Sequence, residues 1–527
     1  MNKQSIVTPR ASRFTRRQVL AASAATGAAL ALKRPALAQT PVPALWPDAA
    51  SIPTNLAADA SPRFRAVAEA AMEAMSSIAC PGLALGIFAD GVEEHAVFGV
   101  TNLETMEPVT NDSLFQVGSI SKTFTGTAIM RLVAQGKLDL YAPVRQYLPD
   151  FDVQDGSVAA RVTVHHLLTH TAGWWGDAFF ETGDGDDAVA RYIQEIMPAL
   201  PQLFPPGMCP SYNNAAIVTL GRLIEVATGQ DYRSAMQELI LDPVGLSAST
   251  YDPARVESGS YALGYTDSPA GTVPQTPLNF PRGIDPAGGL WSNTRDQLRY
   301  ARFHIDNGAT QSGDRLLPAY TAELMRTPQA RFVEISNIAV GLTWFLQELN
   351  GVHLATHDGH TFGQHSSLMI APDEGFAIIM LSNIETGGGG ADPAVLQTAA
   401  KKYLGFGEEA VQLGMSGGPI YTPDPEPLML SEEQLAEYAG RYGTPDLVLT
   451  LRVEKGQLLV TFENPEVPDL IHGAVVAPPN KDVPLSVVSG ERLVIGDYQL
   501  GAIVRKPDAS IGWLRLNILT LPRLGAE

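Results

Sequence analysis

The sequence predicts an α/β protein in which an antiparallel sheet is flanked by helices and joined to an all-helical region, with a small antiparallel β domain at the C-terminal end. Three observations carry this expectation. A helix-period stretch at 63–77 leads into two strand-like runs joined by Asp90-Gly91. A long helix-rich middle separates those runs from a second group of strands at 338–383, so a single sheet would be built from both ends of the domain. Beyond 430 the pattern changes to short alternating runs.

Taken in order, residues 1–38 read as an export leader. Arg16-Arg17 precede a weakly apolar, alanine-rich run, and Ala36-Leu37-Ala38 supplies small residues for cleavage. The paired arginines match a twin-arginine signal, which places the mature protein in the bacterial periplasm or outside the cell. The apolar run is too short for a stable membrane span, so no membrane insertion is expected after cleavage. The chain carries 36 Lys+Arg against 56 Asp+Glu, and seven of those cations lie in the leader. The remaining 29 against 56 give the body a charge of −27, which repels nucleic acid and anionic lipid.

Residues 39–60 form a Pro/Ala/Ser-rich lead-in, and 61–405 the main domain. Helix 63–77 has a narrow apolar face, LALGIFA and VEEHAVFGV form a hairpin, and the helical pattern resumes at 119. The middle holds the helix NNAAIVTLGRLIEVATG and the helix TRDQLRYARFHIDNG, with a loop-rich region through 290 between them. Strands return with IAVGLTWFLQEL, GVHLATHDG and a hairpin turning at Pro372-Asp373-Glu374-Gly375. Gly387–Gly390 link to a last helix, DPAVLQTAAKKYLG. A Gly/Pro linker at 406–430 precedes the β domain of 431–527, a sheet or barrel whose open roles are to cover the main domain, to dimerise it, or to shape access to the site. Cys80 and Cys209 are either one disulfide or two small buried hydrophobes.

The stretch FQVGSISKTFTGTAIMRLVAQG (115–136) places Ser119 three residues before Lys122 at the head of an apolar-periodic run. On a helix beginning at 119 the hydroxyl and the amine share a face. A lysine takes a serine's proton when burial lowers its pKa, and the apolar surroundings favour that. The pattern alone also fits an ordinary capped helix with a surface lysine. Tyr212 and Asn214 lie on a proline-entered turn at a helix start, facing a cleft or serving as core ring and cap. His170 ends an apolar helix and reads as a structural histidine bonded to nearby backbone. His357, His360 and His365 with Asp358 raise the question of metal, but the spacing lacks a His-x-x-x-His pair and cysteine partners, so no metal and no cofactor are expected. Gly414-Met415-Ser416-Gly417-Gly418 matches a nucleophile elbow but lacks the strand and helix such an elbow needs.

Five strings in order, F-Q-V-G-S-I-S-K-T-F-T-G (115–126), V-T-V-H-H-L-L-T-H-T-A-G (162–173), F-P-P-G-M-C-P-S-Y-N-N (204–214), P-A-G-G-L-W-S (286–292) and H-D-G-H-T-F-G (357–363), resemble the serine β-lactamase and D-Ala-D-Ala peptidase superfamily. The resemblance is to the class C-like branch, with its D-amino-peptide hydrolases and lactamase-like esterases, and implies that branch's transpeptidase-like fold over roughly 60–405. It implies Ser119 as nucleophile, Lys122 as activating amine and Tyr212 as proton partner for the leaving group. Asn214 would hold the substrate's amide or carbonyl. His357-Asp358-Gly359 stand where lactamases carry Lys-Thr-Gly, which makes His357 and Gly359 substrate-binding positions. The backbone N–H groups of Ser119 and His360 would form the oxyanion hole.

Replacing that lysine and threonine by His357 and Asp358 disfavours the carboxylate of a β-lactam, so weak or absent antibiotic hydrolysis is expected. The implied substrate is a small peptide, amide or ester. A peptidase or amidase is the first reading, with Trp174, Trp175, Phe179 and Phe180 lining an extended groove. A carboxylesterase with the same residues is the second, and a non-catalytic peptide-binding or structural protein the third.

Overall fold

The computed structural model describes residues 45–46, 48–268, 271–332, 338–385, 392–407, 426–463, 482–488, 491–495, 498–516 and 518–525. The leader, Gly387–Gly390 and Ser416 lie outside these residues. In the main domain the strands are β1 (Thr54–Leu56), β2 (Gly82–Ala89), β3 (Val92–Asn102), β4 (Ala330–Arg331), β5 (Ala339–Val340), β6 (Phe345–Leu349), β7 (Val352–His360), β8 (His365–Ala371) and β9 (Phe376–Ser382). The principal helices are α1 (Pro62–Ser77), α2 (Ser121–Ala134), α3 (Asn214–Thr228), α4 (Thr294–Ile305) and α5 (Asp392–Tyr403).

These strands form one antiparallel sheet in the order β1-β3-β2-β9-β8-β7-β6-β5-β4. N-terminal and C-terminal strands meet where β2 pairs with β9, Leu85 opposite Met380. Strand period 2 then divides the side chains between two cores. Ala377, Ile379 and Leu381 of β9 face the helical lobe, whereas Phe376, Ile378 and Met380 face α1 and α5. Helix α1 starts where Ser61 Oγ accepts the Phe64 N–H at 3.2 Å, with Pro62 at its first position. It buries Phe64, Val67, Ala68, Ala71 and Met75, and truncating Phe64 to alanine there would cost about 3–5 kcal/mol.

The chain past 430 makes α6 (Glu432–Ala436) and eight strands, β10 (Gly440–Gly443), β11 (Val448–Glu454), β12 (Gln457–Phe462), β13 (Val483–Val488), β14 (Arg492–Ile495), β15 (Tyr498–Arg505), β16 (Ile511–Leu516) and β17 (Leu519–Pro522). They pair strictly in sequence. The Leu524 N–H donates to Arg441 O at 2.8 Å and Tyr442 bridges Arg523, so among the described residues the two ends of the meander meet and close it towards a barrel. Leu449, Leu451, Leu458, Val460, Leu485, Leu514 and Leu516 fill its core.

Three expectations change, and the open question of the two cysteines is answered. The α-helix begins at Ser121, and Ser119 lies in a 3-10 turn, Gly118–Ile120. The loop-rich region contains a hairpin, Tyr265–Ser268 with Gly271–Pro274. Trp174 and Trp175 are 1% and 3% exposed and, with Phe180, belong to the core of the helical lobe, so they do not line a groove; only Phe179 is half-buried. Cys80 and Cys209 are buried thiols and are not joined in a disulfide.

Candidate active site

The backbone before α2 is forced into an unusual path. Gly118 has φ +51°, and a Cβ there would lie 2.8 Å from His360 O and 2.9 Å from His360 N. From the other side, a Cβ on Gly359 would lie 2.0 Å from Val117 O and 2.9 Å from Ser119 N. Two glycines thus allow β7 and the 3-10 turn to lie backbone against backbone, and Ser366 Oγ ties them by donating to Val117 O at 2.8 Å.

That turn leaves Ser119 half-buried while Lys122, one helical turn on, is fully buried. Lys122 Nζ lies 2.7 Å from Ser119 Oγ and donates to Ala287 O at 2.6 Å. Burial drives its pKa well below 10.5, with only the field of Asp177 opposing, so the amine favours its neutral form. Ala287 belongs to a short turn anchored by Asp285, whose carboxylate accepts from Arg233 Nε at 2.6 Å. Burial raises Asp285 to about 6 despite that cation.

Tyr212 closes the group. Its ring centroid is 4.9 Å from Lys122 Nζ. Burial raises the phenol well above 10, which keeps it protonated. His170 packs against it with ring centroids 4.9 Å apart and planes tilted by 39°, accepts the Asn213 N–H on Nδ1 at 3.2 Å, and is pushed down to about 3 by burial and the nearby Lys122. This is the backbone-bonded structural histidine that the sequence suggested. Asn213 caps α3 by accepting the Ala216 N–H at 2.8 Å, and Asn214 Nδ2 donates to Asp177 Oδ1 at 2.7 Å.

His357 is buried, its Nδ1 donating to Asp358 O at 2.7 Å and its ring 5.3 Å from Phe345. Asp358 accepts from Ser367 Oγ at 2.7 Å on the neighbouring strand. Phe179, Phe280 and Phe362 are half-buried and in succession, with centroids 5.6 and 4.9 Å apart. Phe280 lies 3.0 Å from where a Gly288 Cβ would stand, close to Gly118. Among the described residues no three His, Cys, Asp or Glu side chains are grouped to hold a metal ion, and no helix is long and apolar enough to cross a membrane.

Sequence reasoning missed Asp177 and Asp446. The Asp446 carboxylate, from the barrel, accepts from Trp175 Nε1 at 2.8 Å and from Thr444 Oγ1 at 2.7 Å. Burial, reinforced by the charge of Asp446, raises Asp177 to about 7. Neither aspartate sits in a motif, and they are far apart in the chain.

An antiparallel sheet against a helical lobe, with a serine, a buried amine and a phenol where the two meet, defines the class of penicillin-recognising serine hydrolases, which act on peptide, amide or ester bonds. The Beta-lactamase family model matches residues 64–401, and the chain belongs to that family. It is 34% identical over 368 residues to Penicillin-binding protein 4 of Amycolatopsis lactamdurans, covering 69% of this chain and 93% of that one. It is 36% identical over 183 residues to Esterase EstB of Burkholderia gladioli, covering 32% of this chain and 46% of that one. The structure of SurE solved with D-Leu superposes with a TM-score of 0.69 at 25% identity, over 88% of this chain and 99% of that one.

Proposed function

We propose that the protein is an exported serine hydrolase that cleaves a small peptide or amide through an acyl-enzyme on Ser119. The observation that carries this reading is the buried Lys122 amine 2.7 Å from the Ser119 hydroxyl. A neutral amine at that distance accepts the hydroxyl proton as Oγ attacks the carbonyl carbon. The oxyanion forms within reach of the Ser119 and His360 N–H groups. As the tetrahedral intermediate collapses, the carbon–nitrogen bond breaks, and the leaving nitrogen takes a proton through Tyr212, refilled from Lys122. Water then attacks the ester by the same relay in reverse. Asn214 holds the substrate amide, His357 and Gly359 line its backbone path, and Phe179, Phe280 and Phe362 offer an apolar wall for a side chain. The D-Leu in the SurE structure favours a substrate that contains a D-amino acid residue.

A carboxylesterase using the same residues is the second reading, favoured by the identity to Esterase EstB. Turnover of a panel of D- and L-peptides beside p-nitrophenyl esters separates the two: brisk ester cleavage with every peptide left intact overturns the first reading. Ser119→Ala is expected to abolish labelling by a serine-directed phosphonate while Ser416→Ala leaves it unchanged. Labelling retained in the first variant overturns the assignment.

A further inference from the structure

We propose that the C-terminal barrel is a working part of this site, with Ile518, in its β16–β17 turn, as the positioning residue for Tyr212. The proposal rests on the Ser119, Lys122 and Tyr212 reading above. Between 203 and 213 the chain has no helix or strand, so the Tyr212 N–H has no ladder partner in its own domain. The barrel supplies the acceptor: Tyr212 N–H donates to Ile518 O at 2.9 Å.

The strands on either side of that turn hold the backbone that leads to the tyrosine. Thr520 N–H donates to Ser211 Oγ at 3.0 Å, Thr520 Oγ1 donates to Pro210 O at 3.1 Å, and Trp513 Nε1 donates to Leu203 O at 3.0 Å. The Ile518 side chain is buried in a separate small core with Phe332, Ile338, Val340 and Phe345, against which Tyr212 packs. His170 grips the segment from within the main domain, its carbonyl accepting the Ser211 N–H at 2.8 Å. Tyr212 is therefore clamped from two sides, and one of them is the barrel. Through Asp446 and Trp175 the barrel also reaches the neighbourhood of Asp177, the partner of Asn214.

The consequence is chemical and selective. A leaving nitrogen must be protonated as it departs, whereas a nitrophenolate departs unaided. Loosening the proton donor by about 1 Å costs roughly 100-fold where that proton is needed. Loss of Ile518 should thus slow amide cleavage far more than cleavage of an activated ester with the same acyl group.

The test uses the full chain carrying Ile518→Ala, Ile518→Val or Trp513→Phe, each first shown to unfold cooperatively. The kcat and KM are measured on a D-amino acid amide and on the p-nitrophenyl ester of the same acid. Ile518→Ala is expected to lower kcat/KM, which reports acylation, roughly 10- to 100-fold for the amide and less than about 3-fold for the ester. Ile518→Val should recover most of the loss, and Trp513→Phe should show the same selectivity in weaker form. A parallel fall on both substrates, or no fall on the amide, overturns the proposal and leaves the barrel only a stabilising role. Failure of the parent reading looks different: Ser119→Ala would then retain both activities.

Discussion

Gly359→Ala is expected to slow acylation of Ser119 about 100-fold in a protein that still folds. The added methyl would stand 2.0 Å from Val117 O, 2.6 Å from Ser366 Oγ and 2.9 Å from Ser119 N. Carbon wants roughly 3.5 Å to such neighbours, so β7 and the segment entering α2 must part by more than about 1 Å. Two of the three obstructing atoms are backbone, and the third is the hydroxyl that ties Val117 to β8, so no side chain can swing clear. Overpacking of this kind costs about 1–3 kcal/mol of stability. A displacement of about 1 Å at the nucleophile accounts for the 100-fold. The assay is the rate of phosphonate labelling beside a calorimetric melt, with Gly156→Ala as control because nothing lies within 4 Å of its Cβ position. Labelling at the wild-type rate with an unchanged melt would refute the claim that the strand backbone sets the position of Ser119.

Lys122→Met should abolish turnover yet raise the melting temperature at pH 7. The native lysine is held towards its neutral form by burial while the unfolded one is protonated, so folding releases a proton. That penalty fades as pH rises towards 10.5, and the gain in the variant should shrink with it; a gain that grows with pH would contradict the sign. Asp177→Asn keeps an acceptor for Asn214 and removes a carboxylate whose native pKa is raised from 3.8 to about 7. The native state therefore binds the extra proton, and stability is lost as pH climbs through that window. The variant should melt higher than wild type at pH 8 and equally near pH 3, as followed by calorimetry. Penicillins and cephalosporins should be turned over slowly or not at all, given His357 and Asp358 where lysine and threonine would stand; rapid spectrophotometric hydrolysis would contradict this.

The parts of the fold that depend on local pattern were legible in the sequence. Helix 63–77 differs from α1 by one residue, and the turns at Asp90-Gly91 and Pro372–Gly375 join the strands expected. Meeting of the two ends in one sheet followed from the order of helical and alternating stretches. Ser119 and Lys122 come together because their spacing is local, even though a 3-10 turn replaces the expected first helical turn. Trp174 and Trp175 misled because aromatic clusters look alike in a groove and in a core; only packing against the helical lobe distinguishes them. Asp177, Asp446 and Ile518 were invisible for a different reason. Each matters through partners brought by tertiary folding, and no periodicity marks a carbonyl that serves a residue in another part of the chain.

The contact between Ser211 and Thr520 spans 309 residues. A ribosome that has just released the tyrosine loop must therefore still make everything up to the β16–β17 hairpin before that loop acquires its outer clamp. On the proposed reading, Ser119 and Lys122 would leave the ribosome long before the barrel strand that holds the Tyr212 loop. Closure between such distant segments is also slow, which favours a chain that completes its folding before it is put to use.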